Sequence, residues 1–308
     1  MEQELTNTLY TTKQNKPRKK PGRPRKVIKP TSDVVISGVL DRPNDTNHRM
    51  ELIHYEPRAF KQIVNMLKHY FVDAIFIHFD IDYVSIKSHD HTKTTSISIT
   101  IDCNKISEYY CKEPFTISVR CEYLTKVLAT ITNSHDKIAL SSNIDSYQSC
   151  FDISLIDDDA SIHDKFTIDL CMAQPENISV VELNDYLIKF TMYSKALKKF
   201  INDTLFSKML TIEKQDGNYL KFKTSYNHKV ACTRTFCNDN SINLDTKLEK
   251  HEYLNVNLKI ESIKPFSDAI ITDVVNIYVN TRNVVFEKII GDHIITQRIH
   301  TDVINYGQ

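Results

Sequence analysis

The sequence predicts an α+β protein built from a duplicated domain, with antiparallel sheets on the outside and paired helices on one face. Three observations carry that prediction. Short alternating apolar stretches outnumber helical ones. Two amphipathic helices recur with their flanking strands at nearly one offset, 137 from Ala59 to Ala196 and 139 from Leu124 to Ile263. Independent units shifted by nearly the same distance have no reason to agree unless a domain is repeated. The 308 residues are 41% hydrophobic and 25% charged, with 5 Gly, which suits two cored domains and excludes a disordered or fibrous chain.

In the first half, Pro57–Phe71 places Phe60, Ile63, Val64, Leu67 and Phe71 at helical spacing. Strand patterns follow at Ala74–Phe79 and Val84–Ile86 around the turn-like Asp80-Ile81-Asp82, and at Thr95–Ile101. A second unit runs strand Phe115–Val119, helix Glu122–Ile131 with Leu124, Val127, Leu128 and Ile131 inward, then strand Lys137–Leu140. Cys150–Leu155 and Asp164–Leu170 alternate as further strands. The second half repeats this order. Ser194–Phe206 puts Leu197, Phe200, Ile201 and Leu205 on one helix face; Met209–Ile212, the turn Gln215–Asn218 and Tyr219–Phe222 follow. Leu254–Leu258, a helix through Ile263, Phe266 and Ile270, and Val274–Val279 complete the second copy.

Charge is unevenly spread. Residues 1–33 carry nine Lys/Arg against Glu2, Glu4 and Asp33; removing these from the 39 of each sign leaves a body of 30 basic and 36 acidic side chains. That arm has too few apolar residues to offset the entropy of ordering and is expected to be disordered. Its centre, Lys19-Lys20-Pro21-Gly22-Arg23-Pro24-Arg25-Lys26, resembles an AT-hook, in which an extended Gly-Arg-Pro core enters the minor groove of A·T-rich DNA. Gly22 allows close backbone approach, Pro24 holds the strand extended, and Arg23 and Arg25 suit a narrow groove of enhanced negative potential. The same residues also suit a nuclear-import signal or a polyelectrolyte arm.

The order of strand, helix and hairpin, twice per domain and two domains per chain, resembles the DNA sliding clamp family of proliferating cell nuclear antigen (PCNA). It is most similar to the clamp-like proteins of large DNA viruses such as African swine fever virus. Tyr193–Phe200 with Leu210–Lys214, Val256–Ile260 through Lys264, and Thr272–Val275 carry the resemblance, with Val84–Ile86 and Leu124–Leu128 in the first half. The resemblance covers about residues 49–299 and says nothing of the arm at 1–33, which composition sets apart; it implies clamp domains at 34–171 and 187–308, and a connector at 172–186. It further implies a homotrimeric ring of twelve helices around duplex DNA, without catalysis or cofactor. Such a ring holds DNA polymerase and other replication and repair enzymes on DNA and is opened by a clamp loader where one exists; the alternatives are a non-ring processivity factor or viral transcription factor of the same fold that binds DNA by charge, and an architectural A·T-tract binder whose tail does the DNA work. The setting implied is the nucleus or a cytoplasmic viral replication factory.

A helix lining a DNA channel must bury one face and present cations on the other. Arg58, Lys61 and Lys68 fall within about 80° on the first helix, away from Phe60, Ile63, Val64 and Leu67. Lys195, Lys198 and Lys199 repeat this on the matching helix. The family pattern adds Lys126, Lys259 and Lys264. A solvated helix face has the same composition, and only recurrence at duplicate positions argues for a channel. By position, connector residues Ile178, Val180 and Val181 would line a pocket for partner peptides with Phe79, Val84 and Ile86 of the first hairpin and with Ile295 and Ile299 near the C-terminal end. Ordinary core burial is the other reading of each. His163–Leu170 and Lys229–Phe236 are candidate edge strands for ring closure.

Catalytic readings find no constellation. Three consecutive acids, Asp157-Asp158-Asp159, cannot converge on one ion with His163, and His89-Asp90-His91 fares no better. Seven Cys without a CxxC pair argue against a zinc site or a disulfide framework. With 5 Gly in the chain there is no phosphate-binding glycine loop. No stretch is apolar over the 18 or so residues a membrane-spanning helix needs.

Overall fold

The computed structural model describes residues 48–304, apart from 71–73, 91, 107, 144–149, 158–161, 172–182, 216–218, 227–228, 238–241, 250–251, 270–271 and 292–294. The chain divides into Met1–Ser37, outside the described residues, and a unit spanning Gly38–Gln308.

The first half of that unit runs β1 (His48–His54), α1 (Pro57–Leu67), β2 (Ala74–Phe79), β3 (Tyr83–His89), β4 (Thr95–Asp102), β5 (Glu108–Cys111), β6 (Phe115–Arg120), α2 (Cys121–Ala129), β7 (Lys137–Asn143), β8 (Cys150–Asp157) and β9 (Ile162–Asp169). The second repeats it as β10 (Ile188–Tyr193), α3 (Ser194–Asp203), β11 (Met209–Lys214), β12 (Tyr219–Tyr226), β13 (Val230–Cys237), β14 (Ile242–Thr246), β15 (Leu254–Lys259), α4 (Ile260–Asp268), β16 (Val274–Val279), β17 (Asn283–Ile290) and β18 (Ile295–Asp302). The duplication predicted from two helices extends to every strand.

Helix ends have local causes. Pro57 occupies the first turn of α1, where a missing N–H forfeits nothing. The spacing predicts α1 through Phe71, but it ends at Leu67 because His69 and Tyr70 bond three residues back, to Met66 and Leu67. Similarly, α3 stops at Asp203, and the Thr204 hydroxyl donates to the carbonyls of Phe200 (2.7 Å) and Ile201 (3.2 Å).

All the pairings are antiparallel, and the sheets repeat as the elements do. One sheet is ordered β5-β1-β7-β8-β9 and another β13-β12-β11-β15. The third, β14-β10-β16-β17-β18-β4-β3-β2-β6, fuses the second half's copy of the five-stranded sheet to the first half's four strands. The joint is β18 on β4, from Ile295 opposite Ile101 to Thr301 opposite Thr95.

Alternation sends one side of each strand to the helices. Thr95 Oγ1 donates to Ser262 Oγ of α4 at 3.0 Å, the Gln297 amide meets the sulfur of Met66 on α1, and Tyr70 Oη donates to the Ser262 carbonyl at 2.7 Å. These bonds tie each half's joint strand or helix to a helix of the other half. The core beneath is aromatic in both halves. Phe79 stacks on Phe115 at 5.1 Å, and Phe222 meets Phe200 edge-on at 5.4 Å. Burying each such ring is worth roughly 1.5–3 kcal/mol.

Candidate nucleic-acid interface

On α1, the buried stripe is Ala59, Phe60, Ile63, Val64, Met66 and Leu67, which leaves Arg58 and Gln62 exposed, as are Lys68 and His69 just past its end. On α3, Leu197, Phe200 and Ile201 are buried while Lys195, Lys199 and Asn202 are exposed. Arg58, Lys68, Lys195 and Lys199 make no ion pair or side-chain hydrogen bond among the described residues. They form the unengaged positive charge of the helix layer.

Two lysines expected on that face do something else. Lys61 is half-buried, and its Nζ donates to the carbonyls of Ala129 (2.9 Å) and Ile131 (2.8 Å), at the C-terminal end of α2. Lys198, 137 positions later, donates to the Asp268 carbonyl at 3.1 Å, at the end of α4, with its carboxylate 3.9 Å away. The last carbonyls of a helix lack intrahelical partners and carry the negative end of its dipole, so an ammonium there both satisfies and neutralises them. The reading of Lys61 and Lys198 as solvated channel cations is thereby corrected: each braces one helix of its pair against the other.

The cations on, or just before, the second helix of each half are paired. Lys126 bonds Glu122 one turn away at 2.6 Å, Lys264 bonds Asp268, and Lys259 lies 3.9 Å from Glu261. Positive charge is therefore concentrated on α1 and α3, while α2 and α4 largely cancel their own.

A further lysine escaped the sequence reading. Lys288 is 1% exposed on β17, donating to the carbonyls of Phe266 and Ala269 with its ammonium 4.1 Å above the Phe266 ring. Burial, assisted by neighbouring Lys198 and opposed by Asp268, pushes its pKa down to about 7. The signal was the alternation Val284, Phe286, Lys288, Ile290, in which a lysine occupies an inward position.

The partner-peptide pocket also needs correction. Phe79, Val84, Ile86, Ile295 and Ile299 are all buried, none more than 7% exposed, and belong to the core. Strand alternation puts Ile295 and Ile299 on the side of Gln297, which faces α1, so they line the interior rather than the outer face. Ile178, Val180 and Val181 lie outside the described residues, as do the tail residues and Asp158-Asp159. Among the described residues no group of three metal-binding side chains converges, and no helix is long and apolar enough to cross a membrane.

The sheet edges separate into two kinds. β5 and β14 are duplicates and both end a sheet, and the duplicates β6 and β15 do the same. In contrast, β9 and β13 end their sheets while their duplicates, β18 and β4, pair with each other.

Comparison with known proteins agrees with this architecture. Residues 50–174 match the family described as "Proliferating cell nuclear antigen, N-terminal domain". Proteins of African swine fever virus, from a Kenyan pig isolate and a Namibian warthog isolate, are each 25% identical over 290 residues, spanning 88% of this chain and 93% of the relative. Both are described as uncharacterized proteins. The crystal structure of Proliferating Cellular Nuclear Antigen from Entamoeba histolytica superposes with a TM-score of 0.72 at 14% identity, covering 84% of this chain and all of that one. The fold is that of the PCNA clamp, duplicated domains included.

Proposed function

We propose that this chain, PCNA-like in fold, is a DNA polymerase processivity factor whose copies join head to tail into a ring around duplex DNA. The observation that supports this best is the pair of incomplete edges. What β18 and β4 do for each other inside the chain, β9 and β13 lack, and a second copy supplies it. Such a heterologous contact propagates until the rotation closes a ring, and it removes the hazard of exposed edges. Three copies, as in the PCNA family, would line the hole with twelve helices. Arg58, Lys68, Lys195 and Lys199 would then attract phosphates without reading bases, which permits sliding.

No step of this function requires catalysis or a cofactor. Partners are duplex DNA, further copies of the chain, a polymerase and other replication or repair enzymes, and a loader where the ring must be opened. Viral relatives favour a viral replication setting. The basic arm at 1–33 favours a second, non-encircling contact, either in A·T-rich minor grooves or along phosphates generally.

Retention on circular DNA tests the ring. Loaded on nicked circles, the protein should survive a high-salt wash and leave once the circle is linearised. Equal loss from circles and linear DNA would mean that charge alone holds it, and the ring reading would fail.

A further inference from the structure

The joint between the halves contains a cavity with one polar group that no other part of the chain engages. We infer that this cavity binds a phenol, a six-membered aromatic ring carrying one hydroxyl, with the ring among isoleucines and the hydroxyl on Nε2 of His54. The site lies within one chain and does not depend on the ring reading above.

The cavity measures about 190 Å³. It lies where the turn from β1 to α1 meets Lys105 and Ile106, beyond β4, and the adjoining ends of β17 and β18. Its walls are Ile53, Ile106, Ile290 and Ile295, the last standing opposite Ile101 where β18 joins β4. Gly291, with φ of 56°, turns the chain there and brings no side chain to the mouth. A cavity of roughly 150 Å³ with apolar walls holds benzene, so this one has room for the ring and one or two further heavy atoms.

His54 supplies the polar contact. It is 8% exposed and lines the cavity, and its Nε2 is buried without a hydrogen-bond partner among the described residues. Phe60 packs edge-on against the imidazole at 5.4 Å and fixes its orientation. Burial lowers the pKa of His54, against an opposing pull from Glu56, so the ring is neutral at pH 7. A neutral imidazole nitrogen donates or accepts according to its tautomer, and a hydroxyl answers either. An ionised ligand would find no counter-charge at depth, since the charged lining residues Glu56 and Lys105 are exposed.

The second half shows that the fold does not require this histidine. His54 lies opposite Ile138 of β7, and Met192 lies opposite Val275 of the duplicate strand β16. Met192 is therefore the counterpart of His54; it is 2% exposed and needs no hydrogen bond. A polar ring in place of an apolar side chain leaves a buried nitrogen unsatisfied, which destabilises the chain by itself and favours any ligand whose hydroxyl reaches it.

Titration of the full-length protein with p-cresol and with toluene, followed by ligand-detected NMR, tests the site. Saturable binding of p-cresol is expected at millimolar concentration, about tenfold tighter than toluene, the factor that one net hydrogen bond contributes. His54→Met, which installs the side chain that the second half carries, should bind the two equally and leave toluene affinity unchanged. Ile106→Phe, which fills the cavity, should abolish both. Absence of saturable p-cresol binding, an undiminished preference for p-cresol in His54→Met, or binding that survives Ile106→Phe overturns the proposal. N-acetyltyrosinamide separates two sources of the same chemistry. Binding at least as tight as that of p-cresol assigns the cavity to a tyrosine side chain of a partner, and weaker or absent binding assigns it to a free small phenol.

Discussion

The two halves share a backbone plan and a lysine brace but differ in what backs the brace. In the first half Lys61 is the one lysine among the described residues that serves the end of α2, through Ala129 and Ile131. In the second, Lys198 reaches only the Asp268 carbonyl, and Lys288 comes from beneath to take Phe266 and Ala269. The position matching Lys288, 133 earlier, is the fully buried Leu155. A duplicated fold therefore preserves the need to satisfy helix-end carbonyls while leaving the donor free to move between helix and sheet. The second half accepts a desolvated amine for it, and the first keeps an apolar core.

This difference is sharpest under mutation. Lys61→Met strips two carbonyls of their donor and should cost about 1–3 kcal/mol in urea unfolding. Lys198→Met should cost less, below about 1 kcal/mol, because Lys288 still serves the same helix end. Equal losses would mean that the two braces are equivalent and that Lys288 gives no support.

Titration breaks the comparison from the other side. Lys288 has a pKa near 7 against an ordinary 10.5, so between those values the unfolded chain binds a proton that the folded chain does not. Stability should therefore rise with pH above about 7, by at most about 1.4 kcal/mol per unit. Urea unfolding between pH 7 and 8.5, below the main thiol titration, should show that slope, and Lys288→Met should flatten it. An unchanged slope in the variant would assign the effect to another group.

The smallest effect on stability belongs to the exposed cations. Lys68→Glu and Lys199→Glu should change unfolding free energy by no more than about 0.5 kcal/mol, since neither side chain is engaged among the described residues. Each should weaken DNA binding and lower the salt slope by about one for every phosphate it no longer neutralises. Deleting residues 1–33 should lower affinity and slope further while leaving salt-resistant retention on circles. A variant reversed at Lys68 and Lys199 that stimulates a polymerase normally would place the DNA elsewhere.

Much of the helix layer was legible because its signal is local. Amphipathic spacing in Pro57–Leu67 and Ser194–Asp203 names the buried stripe and, by subtraction, the exposed Arg58, Lys68, Lys195 and Lys199. Lys61 and Lys198 lie on the same arc, and spacing alone cannot separate them from their neighbours. Their carbonyl partners are 68 to 70 residues away, on a second helix whose end position depends on packing. Phe79, Val84 and Ile86 were misplaced for a related reason: alternation shows that they share a face, but only the helices packed on that face reveal it as the interior.

By itself the sequence determined the duplication, the alternation of its strands and the concentration of positive charge in the arm, because each is a property of residues near one another in the chain. The tertiary structure decided which lysines are free, which edges are incomplete and which side of each sheet is covered. Those depend on elements such as β18 and β4, which meet across roughly 200 residues of chain. Their pairing is set by whole-domain packing rather than by any local pattern, so it could be read only once the two halves stood side by side.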